Sequence, residues 1–298
     1  MRRRSVVGIA AGLVLLAGLD GSASPVPPAS FLDDFAWRMP DVRFGGFSAI
    51  ELSADGLTFT AVSDRGAFTA GRITRDGDGR ITAIAANPIE LLQDPNGNPW
   101  DGEGSDSEGL AIAADGTAYV SFEGGARVVR YTRLDGTADP LPIPREFVAM
   151  QRNSALEALA IDAAGALYTL QERSGALTKP FPVYRFKNGK WDSRLQIPGS
   201  GNYLPVAADF GPDGRFYLLE RQFRGLAGFS SRLRRFVLDD AGFGVSETLV
   251  ETPVGLHDNL EGMSIWRDEA GRLTATMVAD DNFNIFLRSQ IVEYRLPD

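Results

Sequence analysis

A short phrase returns five times along this chain, each time with an acidic residue near it. Glu108-Gly109-Leu110-Ala111-Ile112 leads through Asp115-Gly116 into Ala118-Tyr119-Val120-Ser121-Phe122-Glu123. Glu157-Ala158-Leu159-Ala160-Ile161 leads through Ala164-Gly165 into Leu167-Tyr168-Thr169-Leu170-Gln171-Glu172. Glu261-Gly262-Met263-Ser264-Ile265 leads through Ala270-Gly271 into Leu273 to Asp280. Two looser copies run from Ser48 to Asp64 and from Val206 to Glu220. The heads fall at Ser48, Glu108, Glu157, Val206 and Glu261, at spacings of 60, 49, 49 and 55 residues. Short strands and Asp-Gly turns repeating at such a period are the signature of a β-propeller, in which each unit is a blade.

Each unit reads as four strands. In the second these are Leu110–Ile112, Ala118–Phe122, Arg127–Tyr131 and a strand near Pro140–Pro144. The third-strand segments alternate basic and apolar residues, as half-buried strands do. The first-strand segments are small and apolar throughout, which suits the crowded position around an axis. The last unit stops after its third strand, Gln290–Leu296, while Phe31–Met39 stands alone before the first unit. Pairing these two would close the ring and leave no long exposed edge. The reading is an all-β, single five-bladed propeller; six blades remain an alternative if Ile84–Pro99 holds further strands.

The first residues stand outside this fold. Arg2-Arg3-Arg4, an apolar run from Val6 to Leu19 and the small residues Gly21-Ser22-Ala23-Ser24 make an export signal over residues 1–23, leaving the propeller in 24–298. The run is short for a membrane span, and the Arg3-Arg4 pair also fits a twin-arginine signal. A periplasmic or secreted protein is expected, with no membrane contact after cleavage. The chain has no cysteine, which excludes thiol chemistry and zinc-thiolate sites. The formal net charge is −9, and −11 once Arg2, Arg3, Arg4 and Asp20 are removed. Such a surface argues against nucleic acid and favours a metal or another cation.

In a blade, strand one leaves from the mouth to which strand two returns. Glu108, Glu157 and Glu261 precede strand one; Asp64, Glu123, Glu172, Glu220 and Asp280-Asp281 close strand two. Both sets should meet at one mouth, where carboxylates repel unless a cation, arginines or raised pKa values compensate. Ca²⁺ would do so, taking carboxylate and amide oxygens. The candidate ligands are Glu108, Glu157, Glu261, Asp64, Glu220, Asp258, Asn259 and Asp281, with Asn153 and Asn282 as further neutral donors. Arg65, Arg173 and Arg221 each follow one of the acids, with Arg127, Arg145 and Arg152 near. They are either ion-pair partners or a fork for an anionic ester. His257 is the single histidine and the one imidazole available as a general base. No Gly-x-Ser-x-Gly elbow accompanies it.

In Gly45-Gly46-Phe47-Ser48-Ala49-Ile50, Ala61-Val62-Ser63-Asp64-Arg65-Gly66, Asp106-Ser107-Glu108-Gly109-Leu110-Ala111 and Leu156-Glu157-Ala158-Leu159-Ala160 the chain resembles the exported phytase-like propeller family, described by its esterase-like activity of phytase. Tyr217-Leu218-Leu219-Glu220-Arg221, Asp258-Asn259-Leu260-Glu261-Gly262-Met263 and Asp280-Asp281-Asn282-Phe283 continue the resemblance over about residues 42–296. It implies a secreted propeller with calcium-dependent phosphate-ester chemistry. The chain departs from the pattern at Ser48 and Val206, where other blades place Glu, so the carboxylate ring is incomplete.

Three functions follow as expectations. The first is a metal-dependent hydrolase of phosphate or carboxylate esters, monomeric, acting on a small anionic ester. The second is a non-catalytic propeller that uses calcium as cement and binds a ligand or protein. The third is a lactonase of the gluconolactonase type.

Overall fold

The structure is a computed structural model that describes residues 29–151, 154–173, 175, 177, 179–281 and 288–298. Residues 1–23, where an export signal is expected, and Arg152, Asn153 and Asn282 lie outside the described residues. Five four-stranded antiparallel blades form the fold, and helix is confined to single turns. Blade one comprises Phe47–Leu52, Thr58–Ser63, Ala67–Arg75 and Ile81–Ala86. Blade two comprises Ser107–Ile112, Ala118–Phe122, Arg127–Tyr131 and the short Asp139–Pro140. Blade three comprises Leu156–Ile161, Leu167–Gln171, Phe181–Lys187 and Lys190–Ile197. Blade four comprises Leu204–Phe210, Phe216–Phe223, Phe229–Phe236 and Glu247–Glu251. Blade five comprises Asn259–Arg267, Leu273–Asp280 and Gln290–Arg295, completed by the N-terminal Ser30–Ala36. That strand pairs antiparallel with Gln290–Arg295, Phe31 opposite Tyr294 and Phe35 opposite Ile291, so the ring closes as expected.

The sixth-blade alternative is not realised. Ile84–Pro99 holds the end of the outer strand of blade one and then the two-residue strand Glu90–Leu91 on the same sheet. Isolated bridges from Gln93 to Pro99 and to Thr137 follow.

Each innermost strand touches those of the two neighbouring blades, making a closed inner ring. Outside it, one apolar layer fills each gap between blades. Val62, Phe68, Val120 and Tyr131 join blades one and two, and Leu156, Leu159, Val128 and Tyr184 join two and three. Leu170, Val183, Phe216 and Phe236 fill the next gap. Tyr217, Leu233, Met263 and Met277 join four and five, and Trp37, Phe47, Phe59 and Val278 join five and one. This is sheet-on-sheet packing by alternate residues of each strand. Each fully buried aliphatic or aromatic side chain contributes roughly 1.5–3 kcal/mol.

Candidate metal and ester site at the acidic mouth

The five repeat heads share one backbone feature. Where strand one pairs with strand two, the register skips one residue in every blade. The skips fall between Phe47 and Ala49, Ser107 and Gly109, Leu156 and Ala158, Pro205 and Ala207, and Leu260 and Gly262. The extra residues are Ser48, Glu108, Glu157, Val206 and Glu261, each the unpaired residue of a β-bulge. A bulge leaves one side chain out of the alternation and re-aims it, a device common beside active sites. The residue after it must be small. A Cβ on Gly109 would lie 2.7 Å from Leu159 Cβ and 2.8 Å from the carbonyl oxygen of Glu157. One on Gly262 would lie 2.7 Å from Ala49 Cα.

Strand two returns to the same end. The backbone N–H groups of Asp64, Glu123 and Glu172 donate to the carbonyls of Gly46, Asp106 and Ala155, each at 2.9 Å. In blade four the residue in this register is Arg221, paired with Leu204, and in blade five it is Asp280, paired with Asn259. Glu220 stands one residue earlier, opposite Pro205, and strand side chains alternate between faces. Its carboxylate is therefore turned into blade four. There Oε2 accepts from Arg232 Nε at 2.9 Å and Arg234 Nε at 2.8 Å, and Oε1 accepts from Arg234 Nη2 at 2.6 Å, with no solvent exposure. The structure sets Glu220 apart from the mouth and puts a guanidinium in its place.

The remaining acids act on one another as one group. Burial pushes the carboxyls of Glu108 and Glu157 well above the usual range, helped by Glu261 and by each other's neighbours Asp106, Glu123 and Glu172. Asp64 is pushed up to about 7 by burial, against the pull of Arg65 and with Asp106, Glu261 and Asp281 adding to the rise. Glu123 is likewise pushed up to about 7, by burial and then by Asp106. Oxygens of Asp106, Glu108 and Glu123 all lie within 4.8 Å of one another. Asp64 Oδ1 is buried beside them with no hydrogen-bond partner among the described residues.

The other half of the mouth is neutralised by Arg221. Its Nη1 donates to Asn259 Oδ1 at 2.6 Å and to Glu261 Oε1, and its Nη2 donates to Glu172 Oε1 at 3.3 Å. Asn259 Nδ2 also donates to Glu261 Oε1, at 2.7 Å. Arg221 is thus spent on carboxylates and is not an open fork for an anion. Arg173 lies at the rim, half exposed, 3.4 Å from Glu172. Arg65 is exposed beside Asp64. Asp281 props the first blade: its Oδ1 accepts from Gly46 N–H at 3.0 Å and its Oδ2 from Ser289 Oγ at 2.7 Å. Asp258 accepts from the backbone of Arg288 at 3.2 Å. Ser48, the neutral head of blade one, donates instead to the Ser107 carbonyl at 2.6 Å and ties two blades together.

His257 is placed elsewhere. Its ring stacks on Phe31, and its Nε2 is 2.7 Å from Tyr294 Oη, both on the outer strands of blade five. Burial holds its pKa below the usual value, and the carboxylates that act on it are Asp34 and Asp258. Arg127 lies between the rings of Trp100 and Phe122, at 4.3 and 4.1 Å from their centroids. Asp106 was legible only as the first member of an Asp-x-Glu spacing that Asn259-x-Glu261 repeats in blade five.

Beneath the heads the channel narrows to almost nothing between Ala49, Leu110, Leu159, Val206 and Met263. The mouth itself opens into a cavity of about 320 Å³ above the Arg221 cluster. The family model described as phytase-like, esterase-like activity of phytase, matches residues 42–283 of this propeller. The chain belongs to this family. No curated protein sequence matches it.

Among solved structures, the family's fold in this chain is similar to two α-L-arabinofuranosidases. One is the catalytic domain from Coprinopsis cinerea, with 13% identity, 91% of this chain and 97% of that one covered, and a TM-score of 0.56. The other, from Podospora anserina in complex with cellotriose, has 10% identity, 92% and 98% coverage and a TM-score of 0.54. A gluconolactonase from Xanthomonas campestris has 15% identity, 92% and 98% coverage and a TM-score of 0.47. At these identities the likeness to the two arabinofuranosidases shows the fold alone.

Proposed function

We propose that the protein is an exported ester hydrolase that depends on a hard divalent cation, most simply Ca²⁺, held at the acidic mouth. The observation that carries this reading is the convergence of the Asp106, Glu108 and Glu123 oxygens within 4.8 Å of one another. Calcium holds oxygens at about 2.3–2.6 Å, so oxygens on opposite sides of one ion stand at most about 5 Å apart. The donor set is all oxygen, which suits a hard ion. The buried, unpartnered Asp64 Oδ1 offers a further donor. When bound, the ion would polarise an ester carbonyl and ease the ionisation of water.

The chain's own groups do the rest. Arg221 fixes Glu172, Glu261 and Asn259 in one arrangement and cancels their charge. The family's description in terms of esterase-like activity supports the reaction class. The engagement of His257 Nε2 with Tyr294 Oη favours a second reading, a calcium-cemented propeller that binds without turnover.

The test begins with gentle purification and a metal assay. Melting follows with and without Ca²⁺, then hydrolysis of nitrophenyl acetate and nitrophenyl phosphate in the same two conditions. An ion at a hundred times its Kd stabilises the folded state by about 2.7 kcal/mol, a shift of several degrees in Tm. Asp106→Asn and Glu108→Gln should blunt that shift. A shift without turnover of any ester selects the binding module, and no shift with no bound metal removes the cation.

A further inference from the structure

The cavity above Arg221 has two chemically distinct walls. One is the cluster of Arg221, Glu172, Glu261 and Asn259, in which the charges answer one another; Arg173 at the rim pairs with Glu172. The other is apolar: Leu204, Phe223 and Phe229. Phe223 and Phe229 face each other at the ends of two strands of blade four, with ring centroids 5.1 Å apart. Phe223 is 66% exposed, a large apolar surface left open to solvent. The turn between them presents Leu226 fully to solvent. It is pinned to the following loop by the Gly255 N–H, which donates to the Phe229 carbonyl at 2.8 Å. That loop exposes Val254 and Leu256 beside it. Exposed apolar side chains clustered at the rim of a pocket mark a binding surface, whereas single ones do not.

The charge around this pocket is uneven. On the blade one and two side stand Asp64, Asp106, Glu108 and Glu123, with Arg65 exposed at the edge. Three of these carboxylates converge within 4.8 Å of one another, so acidic groups outnumber basic ones on that side. An anion entering the mouth would meet that field and find Arg221 already committed to three partners. An uncharged group meets neither obstacle, and its apolar part has the Phe223–Phe229 wall to lie against.

We infer that the mouth takes an uncharged carboxylate ester with an apolar acyl or aryl group, seated on Phe223, Phe229 and Leu204, and not an anionic or phosphorylated one. This rests on the mouth being the site proposed above, and it replaces the anionic ester that the arginines in the sequence led one to expect. The ester carbonyl would then point across the axis toward Asp106, Glu108 and Glu123.

Two dyes of the same skeleton separate the alternatives without any turnover: N-phenyl-1-naphthylamine is uncharged, and 1-anilinonaphthalene-8-sulfonate adds one negative charge. The uncharged dye should bind saturably with a rise in fluorescence. The sulfonate should bind at least about tenfold more weakly, since each factor of ten is only about 1.4 kcal/mol. Phe223→Ala should weaken the uncharged dye by a similar factor, because an aromatic contact of this kind is worth about that much. Val237→Ala, at the far end of blade four, should leave it unchanged. Equal binding of both dyes, no saturable binding of the uncharged one, or indifference to Phe223→Ala would each overturn the inference. In hydrolysis, nitrophenyl hexanoate should exceed nitrophenyl acetate, and nitrophenyl phosphate should be the poorest. If the dyes behave as expected and no ester is turned over, the pocket stands and the hydrolase reading falls. If nitrophenyl acetate is cleaved but Phe223→Ala changes neither dye nor chain-length preference, the hydrolase stands and the pocket falls.

Discussion

One guanidinium holds the neutral half of the mouth, and it comes from blade four, one of the two blades that lack an acidic head. Arg221 reaches Glu172 of the third blade and Asn259 and Glu261 of the fifth, so its removal would strand three polar groups at once. Breaking a buried pair from one side costs about 3–5 kcal/mol. Arg221 keeps some solvent contact, so Arg221→Met should cost about 3 kcal/mol at pH 8, at the low end of that range. The loss should shrink at pH 5.5, because Arg221 also draws the buried Glu157 carboxyl toward its ionised form, and without it that carboxyl keeps its proton. Urea unfolding at the two pH values measures this, and a loss independent of pH would mean that Arg221 acts through packing alone. The sequence showed Glu220 and Arg221 side by side but not which of them faces the axis. That choice depends on register, and a slip of one residue exchanges the faces of a whole strand. The other acidic heads and exits are legible because three blades repeat them in step. Asp106 is harder to see, since blades one, three and four have no acidic counterpart two residues before the head.

At the scale of the element, the repeat phrase is a bulge written in sequence. Its first residue is extruded toward the axis, and its second must let the neighbouring inner strand approach. Gly109 and Gly262 meet that need where Ala49, Ala158 and Ala207 suffice in the other blades. Gly109→Ala should therefore cost about 1–3 kcal/mol by overpacking against Leu159 and the Glu157 backbone. Gly77→Ala, with nothing within 4 Å of its added Cβ, should stay within about 0.5 kcal/mol of wild type. Equal melting temperatures for the two variants would contradict the close approach. The strands themselves were legible from alternation and the Asp-Gly turns, and the closing strand from a last unit one strand short. The bulges were not, because an extra residue is visible only against its partner strand. Ile84–Pro99 read as room for more sheet, but Glu90–Leu91 adds only to the blade already there.

The ring as a whole is tied at both ends of its channel by polar groups that cross between blades. At the mouth the tie is Arg221; at the far end it is a pair of carboxyls. Ile265 N–H of blade five donates to Asp209 Oδ2 of blade four at 2.6 Å. Ser264 Oγ, next to it, donates to Glu51 Oε2 of blade one at 3.2 Å and accepts from Leu52 N–H at 3.0 Å. Burial pushes Asp209 up to about 7, and burial together with Asp209 pushes Glu51 well above the usual carboxyl range. Both groups hold protons more tightly folded than unfolded. The contribution of Asp209 is complete below the unfolded aspartate value of 3.8 and is lost as the pH rises through about 7, and that of Glu51 is lost in the same direction. The metal-free protein should therefore melt at a higher temperature at pH 5.5 than at pH 8.5. Asp64, Glu108, Glu123 and Glu157 at the mouth push in the same direction. Asp209→Asn keeps an acceptor for Ile265 and removes the titration, so it should flatten part of this slope by raising Tm at pH 8.5. Calcium should flatten the mouth's share by favouring ionised carboxylates there, and the two changes together should bring the two melting temperatures nearly level. Thermal melts of wild type and Asp209→Asn, each with chelator and with Ca²⁺, measure the four slopes. A metal-free wild type that melts higher at pH 8.5 than at pH 5.5 would show that these buried carboxyls are ionised in the folded protein and held by charges other than the ones described.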